Sequence, residues 1–537
     1  MKQVFKGLAV CLMAALVMVG CSKSGKEDVS EAKIFRFSYL SDIPSIDPQM
    51  VNSMPSATVG FHIFDGLTRM DNGVIRPGIA ESWDISPDGL TYTFKLREAK
   101  WSDGQPIKAQ DFEYGIRRLM DPAAASPYSF LGLLLKNAEA VNAGKLPVSE
   151  LGVKALDDKT VEIQLAFPAD YFLGMLTMSQ FCPTRSDYVE KYGKDFAATA
   201  DKNVYSGPFV VKSWAREDRM ILAKNPNYWD AAAIHLDEIN ILTIPDANTA
   251  LAMFDSGDLD LVQIPPSFVE KYKDKAIFYY TGANDFIKLN MAGKGPLTNK
   301  NLRLALNCAI DRQDFVDITT KGLYEANPRY VLPQVSGVSS DYGKEYPYEA
   351  FSKKADPDKA KEYLTKALKE LGIPDASSIH LEFLTTDTEI SRAQAEVLQD
   401  QLQKTLGITI TVRQVPYRQR LDMESKKDFQ MVFTGWAPDY SDPMTYLELW
   451  TSNSPYNHGS YRSAKYDEYI AFARKSTDKK ARMDALFNAE KELLSDGAIM
   501  PMQLRREALL VNPKFTGVGT YFIGTNFDLI HADVVKK

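Results

Sequence analysis

The side chains that most often carry catalysis are sparse here. Five histidines stand at positions 62, 235, 380, 458 and 531, and none are close enough to place a metal pair on one helix face. His-Glu-x-x-His and Gly-x-Ser-x-Gly are both missing, which removes the common zinc and serine hydrolase signals. Gly293-Lys294-Gly295 lacks the four-residue gap and the Ser/Thr of a phosphate loop, and reads as an exposed turn. Seventy acidic residues guarantee that some are neighbours, yet no spacing singles out a catalytic pair. A binding protein needs none of these motifs.

The cysteines and the amino terminus point to export. Lys2 and Lys6 precede an apolar run from Gly7 to Gly20, too short for an ordinary membrane span and ending in small residues, so residues 1–20 read as a signal peptide. Val17-Met18-Val19-Gly20-Cys21 resembles a bacterial lipobox, with Met18 and Val19 departing from the commonest choices. Cys21 is then a lipid anchor, and the polar stretch 21–33 a tether. The other reading is a plain secreted protein in which Cys21 is incidental. Cys182 and Cys308 either form one disulfide or stay as thiols, and Cys308, among Leu304, Leu306 and Ile310, suits a small buried thiol. No cysteine spacing is of the metal-binding type.

Roughly 515 residues follow the leader, too many for one ordinary core. The net charge of −7 disfavours nucleic acid as a partner, and no second apolar run approaches the length of a membrane span. Strand patterns occur at 34–39, 90–96 (Leu90, Tyr92, Phe94 and Leu96 sharing one face), 161–165, 209–211, 220–223, 239–244 and 259–262. The second half alternates more regularly. A helix starts at Asp356-Pro357 and stops at Gly372, followed by strand 379–384, helix 391–406, and strands 408–412 and 429–433. Helices 465–475 and 479–494 lead to a closing strand near Ile499. That order predicts α/β sheets with a strand-rich insertion early in the chain.

Seven blocks, in order, carry a resemblance. They include Ile79-Ala80-Glu81-Ser82-Trp83, Ser86 to Arg97, Lys100 to Ile107, Ser206-Gly207-Pro208-Phe209, Asn225 to Asp230, Phe254 to Asp260 and Leu302 to Asn307. Together with Ile63 to Leu67 upstream, they resemble the peptide, nickel and opine branch of bacterial extracellular solute-binding proteins, family 5. Most of these residues read as structure: Trp83, Trp101 and Trp229 as packing anchors, Asp88-Gly89 and Asp103-Gly104 as turns.

The resemblance implies a two-lobed, type II periplasmic-binding-protein-like α/β fold of the large cluster C style, with a discontinuous first lobe carrying an extra strand-rich domain. The expected division is domain I at 34–60, 186–288 and 506–537, strand-rich domain II at 61–185, and an α/β domain III at 289–505. It further implies an oligopeptide ligand, a membrane permease of an ABC importer as partner, a monomer, an extracytoplasmic location, no cofactor and no enzymatic activity. Relatives that bind dipeptides, haem, sugars or nickel chelates, or that sense peptides without transporting them, stay open.

Similar segments in oligopeptide binders supply an aspartate for the ligand's α-amino group, and Gly435-Trp436-Ala437-Pro438-Asp439 places Asp439 there. The segment follows the strand 429–433, and open α/β sheets put ligands beyond strand ends. A buried ammonium ion needs a carboxylate partner. The alternative, a turn-capping aspartate, suits Asp442-Pro443 better. Gly435, Trp436 and Ala437 would lie along the ligand backbone as a partner strand, and Tyr417 would wall a side-chain pocket or pack in the core. One departure stands out: Phe433 and Glu424 occupy positions where such binders can place arginines near the ligand's C-terminus. Arg413, Arg418 and Arg420 are nearby candidates for that job, and ordinary surface arginines are the other reading of them.

Overall fold

The computed structural model describes residues 32–293 and 295–535. The leader, Cys21, most of the tether and Lys294 lie outside the described residues.

An eleven-stranded mixed sheet runs through the molecule. Its strands are β1 (Ile34–Tyr39), β2 (Phe209–Ala215), β3 (Arg219–Lys224), β4 (Glu238–Thr243), β5 (Leu261–Gln263), β6 (Ile277–Leu289), β7 (Glu325–Ala326), β8 (His380–Thr386), β9 (Thr409–Val415), β10 (Met431–Trp436) and β11 (Ile499–Val511). The order is β9-β8-β10-β6-β11-β5-β1-β4-β3-β2, with β7 added against β11. Parallel neighbours need a crossover connection. For β8 and β9 it is one helix, Glu389–Leu406; for β1 and β4 it is a long excursion holding a separate four-stranded antiparallel sheet.

Local chemistry sets these elements. In the small sheet, Tyr92, Phe94 and Leu96 are buried as their alternation predicts, each contributing about 1.5–3 kcal/mol of apolar burial. The strand is entered through a turn whose Gly89 has φ +69°. The helix Pro357–Leu371 begins where Asp356 accepts a hydrogen bond from the Lys359 N–H (3.1 Å) and ends at Gly372 in the left-handed region. Cys182 and Cys308 are free thiols, so they form no disulfide; Cys182 is buried and Cys308 only half-buried, which corrects the expectation of a buried thiol at Cys308.

Three elements differ from the sequence expectation. Strand β10 begins two residues later than expected and runs through Gly435 and Trp436, because β6 pairs with it along its whole length. The closing strand is thirteen residues long rather than a short segment near Ile499. Its partner β6 is equally long and has no apolar alternation to announce it: Asn284, Asp285 and Lys288 are all buried in it.

β6 and β11 pair as Ile277–Tyr280 with Leu509–Arg506, lose register, and resume at Asn284 with Leu504. Thr281, Gly282 and Ala283 thus lie opposite the single residue Arg505. Gly282 has φ +76°, and a side chain there would collide with the Phe522 carbonyl oxygen at 2.4 Å. Such a bulge kinks and twists the pair. One half of β6 lies beside the part of β11 that pairs with β5, the other pairs with β10, so the break falls between the two ends of the large sheet.

Candidate ligand-binding site

Two cavities, of about 370 and 450 Å³, flank the end of β10 and share Trp436 and Ala437 in their walls. Every residue from Gly435 to Asp439 lines at least one of them.

The first cavity is walled mainly by apolar side chains, among them Met54, Phe61, Met70, Phe130, Met178 and Ile523. Asp439 projects the charged group of this surface. Among the described residues no basic side chain pairs with it. Burial, and secondarily the carboxylate of Glu448, push its carboxyl up to about 7. Glu448 has its own partners, Tyr440 Oη at 2.9 Å and Arg474 at 3.2 Å. The turn-capping task falls to Asp442, which accepts from the Met444 N–H (2.9 Å) and is gripped by both Nη atoms of buried Arg482, at 2.7 and 2.9 Å. Asp439 is left without a structural job that would explain a half-buried, unneutralised carboxylate.

The second cavity follows the strand edge. β10 pairs with β6 along all six residues but with β8 only at Met431 and Val432. Beyond Val432 the edge from Phe433 to Trp436 has no strand neighbour on the β8 side, and it lines this cavity with Thr385, Thr386, Ser391 and Gln394. An open edge presents backbone N–H and C=O groups to an incoming extended chain. Tyr417 stands at the rim, 63% exposed, so packing in the core does not describe it.

Gly435 has a role that the sequence hid. A side chain there would meet Asp285 Oδ1 at 2.5 Å and the Asn284 carbonyl oxygen at 2.7 Å. Asp285 is almost fully buried and holds Arg505 through both Nε (3.0 Å) and Nη2 (2.7 Å), with Gln503 donating from below (2.8 Å). Gly435 is bare because this pair presses against it. Gly435→Ala is expected to destabilise the protein by about 1–3 kcal/mol through overpacking, and to weaken ligand binding by shifting β10; thermal melts and titration of the same sample check both.

Phe433 and Glu424 also have identifiable tasks. Phe433 is half-buried against the core, its ring centroid 6.1 Å from that of Phe315. Glu424 sits between Lys288 Nζ (2.7 Å) and Arg420 Nη1 (2.6 Å). Burial raises its carboxyl pKa, but His458 and the two cations outweigh that and bring it to about 2. Of the three nearby arginines, Arg420 alone lines the cavity; Arg413 lies toward Glu382 at 3.6 Å, outside it. Asp285, Gln503 and Arg505 were invisible to sequence reasoning, their only signal being polar or charged residues within strand-length stretches.

No group of His, Cys, Asp and Glu among the described residues could hold a metal ion, and no described helix is long and apolar enough to cross a membrane.

Known proteins share the family and the fold. Residues 74–458 match the family profile of bacterial extracellular solute-binding proteins, family 5, middle region. The chain is 32% identical to a dipeptide-binding protein of Lactococcus lactis, over 97% of each chain, and 30% identical to the oligopeptide-binding protein OppA of Bacillus subtilis, over 96% of this chain and 97% of that one. Among solved structures, peptide-bound OppA of Listeria monocytogenes superposes with a TM-score of 0.74 at 31% identity, covering 95% of this chain and all of that one. The unliganded open form of the murein tripeptide-binding protein MppA gives 0.80 at 25% identity, covering 95% and 98%.

Proposed function

From the premise that the chain belongs to the family 5 bacterial extracellular solute-binding proteins, we propose that it captures short peptides by their free amino end for an ABC-type importer. It is a binder and not an enzyme. The observation that carries the peptide reading is the carboxylate of Asp439, uncompensated in an apolar cavity, beside a strand edge with no partner. A peptide supplies both missing components: an ammonium ion for Asp439 and a backbone for the edge of β10. An anionic solute would meet a bare carboxylate, and a sugar would leave the strand edge unpaired. The relatives named for dipeptides and oligopeptides support the same class.

Ligand capture closes the two lobes about the β6–β11 break, with domain boundaries near residues 289 and 505. The higher TM-score against an unliganded open form than against a peptide-bound one supports reading this conformation as open. The closed form then presents its surface to the permease, and the protein acts as a monomer. Mass spectrometry of small molecules copurifying with the native protein tests the proposal: peptides with free amino ends are expected, and a non-peptide solute recovered in stoichiometric amount would overturn it.

Lipidation at Cys21 is part of the same proposal, resting on the lipobox-like run. Cys21→Ala is expected to move the protein from the membrane fraction into the soluble fraction with unchanged ligand affinity. Wild-type protein found wholly soluble and unmodified would refute the anchor.

A further inference from the structure

Asp439 is the only charged side chain among the described residues that line the first cavity. Around it the wall leaves bulky apolar groups open to solvent. Met54 and Phe130 are 40% and 38% exposed, and Phe61 and Met178 are half-buried beside them. Apolar residues exposed singly need no explanation, whereas a contiguous set of them lining a cavity marks a binding surface. Taking recognition of the ligand's α-amino group by Asp439 as given, we propose that this cavity selects the side chain of the ligand's first residue. Met54, Phe130 and Met178 set the selectivity, so that the protein takes peptides beginning with a bulky apolar residue and rejects those beginning with an acidic one.

The covalent structure of a peptide makes the link. Its first side chain leaves the Cα, which is one bond of about 1.5 Å from the amine nitrogen. A peptide whose amine rests on Asp439 must turn that side chain into whatever surrounds the carboxylate. Asp439 is held in place, because its N–H and Trp436 Nε1 both donate to Thr445 Oγ1, at 3.4 and 3.3 Å. Tyr128 is its neighbour on the wall: burial, and after it the charge of Asp439, hold the phenol above its usual range. From Tyr128 the apolar surface continues to Phe130, with ring centroids 5.2 Å apart. Three polar side chains of the wall are satisfied by the protein itself. Thr177 and Thr525 donate through Oγ1 to the carbonyl oxygens of Gly174 and Phe527, both at 2.8 Å, and Gln180 Nε2 donates to that of Val51 at 2.7 Å.

Size and chemistry then bound the occupant. At about 370 Å³ the cavity lies at the small end of ligand pockets, which span roughly 300–1,000 Å³, and it suits one bulky side chain rather than a whole peptide. Methionine is unbranched and polarizable, so a wall containing Met54, Met70 and Met178 adapts to branched and aromatic shapes alike. An acidic side chain would set a second carboxylate beside Asp439 with no cation on the described wall, and a charge buried without a partner is costly. A lysine in first place would bring two ammonium ions to one carboxylate, leaving one of them against apolar groups.

Calorimetry on the full chain would compare Leu-Ala-Ala, Phe-Ala-Ala, Ala-Ala-Ala, Asp-Ala-Ala and Ala-Leu-Ala, with N-acetyl-Leu-Ala-Ala as the control for the amine. Leucine and phenylalanine in first place should each bind about 10- to 100-fold more tightly than alanine, and aspartate more weakly than alanine. The double variant Met54→Ser, Phe130→Ser changes two exposed side chains and should bring the leucine-to-alanine ratio within about threefold, while the loss on acetylation persists. Should that variant fail to fold, the peptide series on wild-type protein still decides. Three results would overturn the pocket: a leucine-to-alanine ratio below about tenfold, Asp-Ala-Ala as tight as Ala-Ala-Ala, or Ala-Leu-Ala as tight as Leu-Ala-Ala. With the loss on acetylation intact, each of them leaves amine recognition standing. Leu-Ala-Ala binding no better than its acetylated form, or no binding by any peptide, would overturn the amine reading and the pocket with it.

Discussion

Asp439→Asn is expected to make the empty protein more stable at pH 8 while removing most of its affinity for peptides. The two effects share one cause. In the folded protein, burial and Glu448 raise the Asp439 carboxyl to about 7, whereas in the unfolded chain it titrates near 3.8. The folded state therefore holds the proton more tightly. The contribution of Asp439 to stability is fully present below pH 4, is lost as pH rises from about 4 to 7, and stays absent above 7. Asparagine does not ionise, so the variant should melt higher than wild type at pH 8, with the gap narrowing toward pH 5. Ligand binding runs the other way. An ammonium ion beside Asp439 replaces desolvated repulsion with a charge pair, and removing one member of such a pair costs about 2–5 kcal/mol.

The same pair sets the pH profile of binding. Asp439 becomes mostly ionised only as pH rises past about 7, while a peptide α-amino group stays mostly protonated below roughly 7.7–8.0. Affinity should peak between these limits and fall by up to about tenfold per unit on either side. In the asparagine variant the acid-side fall should vanish and the alkaline side flatten. A wild-type affinity constant from pH 5 to pH 9 would contradict this.

Glu490→Ala should have the largest effect on stability and little on binding. Glu490 lies on the helix Lys479–Ser495, fully buried, and accepts bonds from Arg329 Nη2 (2.5 Å), Tyr342 Oη (2.9 Å) and the Val331 N–H (2.9 Å). Truncation leaves Arg329 as an uncompensated buried cation, which typically costs about 3–5 kcal/mol. None of these atoms lines either cavity. Chemical denaturation should show the loss, and calorimetry on the remaining folded fraction should give affinity within about threefold of wild type. Unchanged stability would mean that Arg329 finds another partner or water.

How far the sequence reaches depends on whether a residue's neighbours are local. The alternation from Leu90 to Leu96 and the capped helix after Asp356 are read directly, because each is set by residues within a few positions. Strand β6 is not, because its buried Asn284, Asp285 and Lys288 are satisfied by Tyr330, Gln503, Arg505 and Glu424 from distant parts of the chain. The site divides in the same way. The segment Gly435 to Asp439 is proposed as the site from its resemblance, and all five of its residues line the two cavities. The charged residues beneath it were not legible. Arg505 belongs to a strand whose other residues are mostly buried, and only pairing with β6 shows that it faces the same space. Glu424 looked like the loss of a cation; with Lys288 and Arg420 on either side, it is the centre of a network that keeps two cations in place.

The central claim is that Asp439 recognises a free α-amino group, and one thermodynamic cycle tests it most directly. A peptide recovered from the native protein, free and N-acetylated, would be titrated into wild type and Asp439→Asn at pH 7.5. Each single change should cost on the order of 30- to 4,000-fold in affinity. Because both remove the same ion pair, the second change should cost far less once the first is made. A clash of the acetyl group would lower affinity in both proteins equally, so the coupling carries the result. Strong non-additivity is the expected outcome; strictly additive losses, or wild-type affinities for the two peptides within a factor of two, would contradict the account.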